Sequence, residues 1–152
     1  MNSDEKIYHH LRALFKIDTF PKGDLQFEYS KKTGRIKNFS IEGNLFATLR
    51  TDGGLALTIF GAKELMNTKG FKENCVIPNS DFLEFISEGR SLFAKHVEWC
   101  GSNVEVGSDV AIVDFNENVI AVGRALLGAK LMKGYQKGVA VKVREGIKRR
   151  LN

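Results

Sequence analysis

The chain opens on a helical rhythm. Ile7, Leu11, Leu14 and Phe15 fall at i, i+4, i+7 and i+8, one apolar stripe within residues 4–17. Ser3 is placed to cap this helix, and Asp4 and Glu5 suit the positive end of its dipole. Pro21 and Gly23 break it. From Leu25 the period changes to two. Leu25, Phe27 and Tyr29 alternate with polar neighbours, and short turns at 31–34, 43–44 and 51–54 separate further runs at 35–41, 45–49 and 55–59. Connections this short predict a four-stranded antiparallel meander. A short helix over 61–68 follows and Lys69-Gly70 ends it.

The polar stretch near 69–74 reads as a boundary, giving a small α+β unit over 1–72 and a second unit over 73–152. In the second, Val76 and Ile77 form a strand closed by Pro78. Asn79 or Ser80 caps a helix running to Glu88, with Phe82, Phe85 and Ile86 as its buried face and Gly89 as its stop signal. Four strands follow, at about 92–97, 109–115, 119–126 and 138–144, with a helical turn over 129–135 between the last two.

A length of 152 residues fits one domain or two very small ones, and 43% hydrophobic with 27% charged residues describes a folded globular chain. A net charge of +5 favours polyanionic partners only weakly. Its distribution says more: residues 1–72 carry 12 Lys and Arg against 8 Asp and Glu, whereas 73–152 carry 11 against 10. Residues 1–5 carry no apolar leader pattern, and no apolar run approaches the roughly 18 residues of a membrane span, so the expectation is a cytoplasmic protein without a membrane partner. In a reducing compartment Cys75 and Cys100 are expected to be small buried hydrophobes.

Catalytic and metal chemistry find little to stand on. His96 and Cys100 are four apart on an expected strand, hence about 13 Å from each other, and with Cys75 they still lack a fourth ligand. No metal and no cofactor is therefore expected. Gly123 to Lys130 approaches a phosphate-binding loop, but the lysine comes one residue late and Leu131 stands where a Ser or Thr must hold magnesium. There is no Gly-x-Ser-x-Gly elbow, and His9 and His10 sit among charges on the first helix. The chain reads as non-catalytic.

Chemistry for RNA is better represented. Val139, Val141 and Val143 alternate with Ala140, Lys142 and Arg144, which puts the two cations on one strand face about 7 Å apart. Lys148, Arg149 and Arg150 extend a basic tail. Gly89-Arg90-Ser91 leaves a helix for a strand. Glycine permits backbone N–H groups to approach a phosphate or base there, and Arg90 offers a planar fork; an ordinary helix cap fits the same residues. Lys31, Lys32, Arg35 and Lys37 on the first hairpin form a second basic patch, which either touches RNA or keeps a sheet edge soluble.

Four ordered blocks carry a resemblance: Gly89-Arg90-Ser91-Leu92-Phe93-Ala94-Lys95, Val106-Gly107-Ser108-Asp109-Val110, Ala121-Val122-Gly123-Arg124, and Gly138 to Arg144. Together they resemble the PUA domain, an RNA-binding module, and most closely the version at the C-terminal end of archaeal archaeosine tRNA-guanine transglycosylases. Residues 1–72 look like the small α+β domain that precedes it there. The resemblance implies an α+β chain: an N-terminal helix on an antiparallel sheet, then a mixed β pseudo-barrel in the order β-α-β-β-β-α-β. It implies that RNA is gripped between the helix near 80–88, the glycine loop after it and the last strand. The contacts it implies are Gly89, Arg90, Ser91, Lys95, Arg124, Lys142 and Arg144. In those enzymes a separate barrel of about 250 residues performs the base exchange, and this chain has no room for one. The expected role is an RNA-binding accessory to RNA modification, holding tRNA or another structured RNA beside a separate enzyme. The alternative is a translation-associated adaptor on the ribosome.

Overall fold

A computed structural model describes residues 2–132, 134 and 137–148. Helix α1 (Ser3–Phe15) buries Ile7, Leu11 and Phe15, the stripe its periodicity set out. Its cap is Asn2, whose side chain accepts from the Glu5 N–H at 2.9 Å. Ser3 instead shares a 2.7 Å hydrogen bond with the Tyr29 hydroxyl. The cap lies one residue earlier than the sequence suggests because Asn2 alone is extended.

Strands β1 (Leu25–Tyr29), β2 (Ile36–Ile41), β3 (Asn44–Leu49) and β4 (Leu55–Leu57) form an antiparallel sheet in sequence order. Helix α2 (Ile59–Met66) follows at once. Ile59, which continues the alternation of Leu55 and Leu57, is the first helical residue, because the Thr58 hydroxyl accepts the Gly61 N–H and caps the helix there.

The second sheet has six strands in the order β6-β10-β9-β8-β5-β7. They are β5 (Cys75–Pro78), β6 (Leu92–Phe93), β7 (Val97–Cys100), β8 (Asp109–Val113), β9 (Val119–Ala125) and β10 (Val139–Gly146). Helix α3 (Leu83–Ser87) lies between β5 and β6, entered through a 3-10 turn at Ser80–Phe82, and α4 (Ala129–Met132) lies between β9 and β10. Among the described residues the only parallel pair is β5 with β8. The single strand expected at 92–97 is two. Leu92–Phe93 pairs with β10, a 3-10 turn takes Ala94–His96, and Val97–Cys100 pairs with β5 at the far side of the sheet. One segment thereby serves both edges of a curled sheet, and the turn absorbs the change of direction. Residues 133, 135 and 136 of the expected 129–135 turn, and Arg149 and Arg150 of the basic tail, lie outside the described residues.

Among the described residues no strand crosses between the two sheets, yet the apolar interior is shared. Ile7, Leu11, Phe46, Leu55 and Leu65 form one buried cluster with Cys75, Ile77, Ala111, Val113 and Val122 of the six-stranded sheet. A second cluster, including Val76, Ile86, Leu92, Ile112, Ala121 and Val141, fills the curled sheet itself.

Polar contacts seal the joint between the sheets. The Asp109 side chain, only 4% exposed, takes Arg50 Nη1 at 2.5 Å and the Leu55 N–H at 3.0 Å. Asp52 takes Arg124 Nη2 at 3.0 Å. The Arg144 guanidinium donates to the Leu57 carbonyl. Asn74 and Asn103 donate to the carbonyls of Phe15 and Leu14, at 2.9 and 3.0 Å, and so tie down the end of α1.

Candidate nucleic-acid interface

The corner where α3 hands over to β6 holds the clearest ligand-shaped feature of the six-stranded unit. Phe82, Phe85, Ile86, Arg90, Leu92, Phe93 and His96 line a cavity of about 210 Å³. Ile86 and Leu92 point into the core and form its floor. Phe85 and Phe93 are each 47% exposed. Phe85 was expected on the buried face of its helix; α3 is only five residues long, and Ile86 with Ser87 is the part of it that is buried. The Phe85 ring instead stands in solvent with the Arg90 guanidinium 5.4 Å above it. Two exposed phenylalanines beside a cation cost hydration without gaining core packing, which makes this corner the candidate for a ligand.

His96 belongs to this corner and not to a strand. It sits in the 3-10 turn and stacks on Phe82 with ring centroids 3.5 Å apart and an interplanar angle of 17°, and Phe93 meets it edge-on at 6.4 Å. Loss of solvation on this ring face, reinforced by the neighbouring Lys95 charge, lowers its pKa below the ordinary 6.5. The shift favours the neutral imidazole, which extends the aromatic wall. Cys75 is buried, and burial pushes its thiol up. Among the described residues no cluster of His, Cys, Asp and Glu has the makings of a metal site.

The glycine loop is occupied by its own structure. Gly89 has φ 99°, the left-handed region that glycine enters at no steric cost. Its N–H donates to Ile86 and that of Arg90 to Phe85, at 2.9 and 3.1 Å. The Ser91 hydroxyl accepts the Val143 N–H at 3.2 Å. The backbone N–H groups expected to meet a phosphate are thus spent on ending α3, and Ser91 on holding β10. What the loop presents outward is the Arg90 side chain. Lys95 is also exposed, one turn further on.

The β9–β10 face behaves differently from the pattern in its sequence. Lys142 pairs in register with Arg124, and Arg124 with Asp109, so these three side chains share one face across three strands. That face abuts the β3–β4 turn, where Arg124 meets Asp52 and Asp109 meets Arg50. A bulge between Val143 and Glu145 leaves Arg144 without a cross-strand partner. Its guanidinium reaches Leu57, and burial lowers its pKa while the nearby Asp109 pulls the other way. Lys142 stays exposed and makes no ion pair among the described residues. Arg90, Lys95, Arg124, Lys142 and Arg144 all keep solvent exposure. What separates them is that Arg124 and Arg144 are also engaged in the joint, through Asp52 and the Leu57 carbonyl. The sequence gives no sign of this joint, since Arg50, Asp52 and Asp109 look like ordinary turn and surface charges.

The loop from Gly123 to Lys130 has no cradle geometry. Gly123 lies inside β9, where a Cβ would stand 2.3 Å from the Lys142 carbonyl oxygen, so this glycine serves the close approach of two strands. On the first hairpin, Lys31, Lys32 and Arg35 are exposed, and Lys37 leans on Glu28 at 3.5 Å.

Comparison with known proteins agrees with this architecture. A PUA domain family model matches residues 76–147, and the patch-forming domain C2 of tRNA-guanine transglycosylase matches residues 12–70. The tRNA-guanine(15) transglycosylase of Methanobrevibacter smithii is 36% identical over 133 residues, which is 87% of this chain and 20% of that protein. The enzyme of the same name from Thermococcus onnurineus is 36% identical over 127 residues, 83% of this chain and 22% of its own length. The chain thus spans about a fifth of the length of the relatives it matches. A conserved PUA domain protein from Thermoplasma acidophilum has the same fold at 18% identity, with a TM-score of 0.69 over 94% of this chain and 87% of that one. Residues 76–147 carry a PUA domain, and the chain resembles the C2-plus-PUA region of archaeal tRNA-guanine(15) transglycosylases.

Proposed function

We propose that this chain is a non-catalytic RNA-binding protein that holds tRNA, or another structured RNA, as an accessory to RNA modification carried out by a separate enzyme. The observation that carries the reading is the solvent-facing aromatic slot of Phe82, Phe85, Phe93 and His96 beside Arg90 and Lys95. An unpaired base stacks on such rings whatever its identity, and the flanking cations take its phosphates. Lys142 extends the cationic path along β10. Gly89 and Ser91 act by shaping the corner, and Arg124 and Arg144 by holding the joint. No cofactor enters this role. The relatives named above favour tRNA over the ribosome as the partner.

The test is binding of a tRNA transcript to the parent chain and to Phe85→Ala/Arg90→Ala. Loss of one stacked base and one cation predicts at least about tenfold weaker binding. A transcript lacking its unpaired 3′ nucleotides is expected to bind as weakly to the parent as the full transcript binds to the variant. Equal affinity of parent and variant for the full transcript would remove the slot from the RNA interface.

A further inference from the structure

A second and larger concavity lies on the four-stranded unit, away from the aromatic slot. It is a groove of about 780 Å³ between α1 and the β1–β2 hairpin. Ile7, Ile36 and Leu49 contribute apolar floor. Tyr29 forms a wall, 49% exposed, its hydroxyl steadied by Ser3. Lys6 comes from the helix side, and Arg35 and Lys37 from the hairpin side. Ser30, Thr33 and Thr51 bring hydroxyls, and none of the residues lining the groove is an Asp or Glu. Glu28 holds Lys37 at 3.5 Å on the hairpin rim, and Asp52 takes Arg50 and Arg124, so Lys6 and Arg35 are the rim cations without an ion pair among the described residues. The Ser3–Tyr29 hydroxyl contact ties α1 to the hairpin wall, and His10 Nε2 donates to the Gly53 carbonyl at 2.6 Å and ties α1 to the β3–β4 turn.

A solvated hairpin edge needs charge but has no need of a concave apolar floor beneath it. We propose that this groove takes an unpaired RNA segment, with a base against Tyr29 and the apolar floor and its phosphates on Lys6 and Arg35. An aromatic wall plus a cationic rim is the pattern that tracks single strands. A duplex backbone presents phosphates and ribose to a protein and leaves an apolar floor unused. The proposal rests on the RNA-binding reading above and adds a second contact of a different part of the RNA, made by the half of the chain with most of the excess charge. Two such contacts on one rigid body reinforce each other through effective concentration.

The experiment uses the full chain, a 12-nucleotide oligouridine carrying 4-thiouridine, and fluorescence anisotropy at low salt. Lys6→Ala/Arg35→Ala changes two exposed side chains and is expected to weaken oligouridine binding about tenfold, at one phosphate contact each. Circular dichroism verifies the fold, and Tyr29→Ala serves as a second variant. Photo-crosslinking of the parent should place an adduct on Tyr29. The proposal is overturned if both groove variants bind like the parent while Phe85→Ala/Arg90→Ala binds less; the slot reading then stands alone. The converse result, loss in the groove variants only, supports the groove and removes the slot. A parent chain that binds no RNA overturns both. Displacement of the RNA by an equal concentration of poly-glutamate would also overturn it, assigning the groove to acidic peptides.

Discussion

The last strand and the first hairpin carry the same kind of sequence, cations interleaved with apolar or hydroxyl residues, and the fold treats them in opposite ways. On β9 and β10, Arg124 and Arg144 are drawn to Asp52 and to the Leu57 carbonyl across the joint. On the hairpin, Lys31, Lys32 and Arg35 remain in solvent beside a groove without carboxylates. A cation contributes to an RNA footprint only when its donors are not already satisfied within the protein. Alternation reveals which face a side chain takes; only the tertiary structure reveals what that face meets.

The largest effect that separates these regions is expected at the joint. Asp109→Ala leaves Arg50 with Asp52 as its one remaining carboxylate and the Leu55 N–H buried without its acceptor. Breaking a buried pair from one side costs about 3 kcal/mol, or roughly 6–12 °C in melting temperature for a chain of this size. Thermal unfolding followed by circular dichroism measures it. A shift under 2 °C would show that the joint contributes little to holding the sheets together.

Next comes the last strand itself. Arg144→Ala is expected to lower stability by no more than about 1 kcal/mol, because the Leu57 carbonyl loses a charged donor whose side chain is itself exposed and screened by solvent. Lys142→Ala should leave stability within about 0.5 kcal/mol and weaken RNA binding about threefold to tenfold. Urea titration and a binding isotherm on the same preparations separate the two residues. If Arg144→Ala melts like the parent and loses RNA affinity, its role at the joint is secondary to one in binding.

Salt sharpens the comparison further. Four to six phosphate contacts give a log–log slope of about −3 to −4 for single strands, and removing Lys6 and Arg35 should make it shallower by roughly one unit or slightly more. Arg124→Ala, whose guanidinium is occupied by Asp52, should change that slope far less. Anisotropy titrations across a salt series provide both numbers.

How much of this was legible in the residues differs between fold and site. The stripe of Ile7, Leu11 and Phe15 and the alternation from Leu25 onward are local signals, and the first helix and the four-stranded sheet follow from them, whereas β7 of the six-stranded sheet was not legible. The aromatic corner proposed to meet RNA is half visible. Arg90 and Lys95 stand out as cations after a glycine, but Phe85, Phe93 and His96 read as helix core and strand. Their exposure depends on α3 being short and on the strand breaking at Ala94, both set by curling of the sheet. The joint is the least legible part. Arg50 and Asp109 are 59 residues apart, and neither neighbourhood hints at the other.

The smallest expected effect concerns acid. Glu73 accepts from the Ser102 N–H and hydroxyl at 3.0 and 2.8 Å, beside the Asn74–Asn103 clasp on α1. The backbone N–H of Ser102, then its hydroxyl, hold the Glu73 carboxyl below its ordinary 4.5. Because the folded value lies below the unfolded one, the unfolded chain takes up the proton first as pH falls. The stabilisation is complete above pH 4.5 and is lost as pH drops through the folded value. The side chain is exposed, so solvent screening limits the effect to below about 1 kcal/mol. Glu73→Gln is therefore expected to lower the urea midpoint at pH 6, with the gap to the parent narrowing as pH falls below 4.5 towards 3. Taking the difference between the two proteins cancels Asp109, whose burial raises its carboxyl and gives its own titration the opposite sign. A gap between variant and parent that persists unchanged at pH 3 would mean that Glu73 acts through shape, and that the loop from 101 to 104 is held by the asparagine clasp alone.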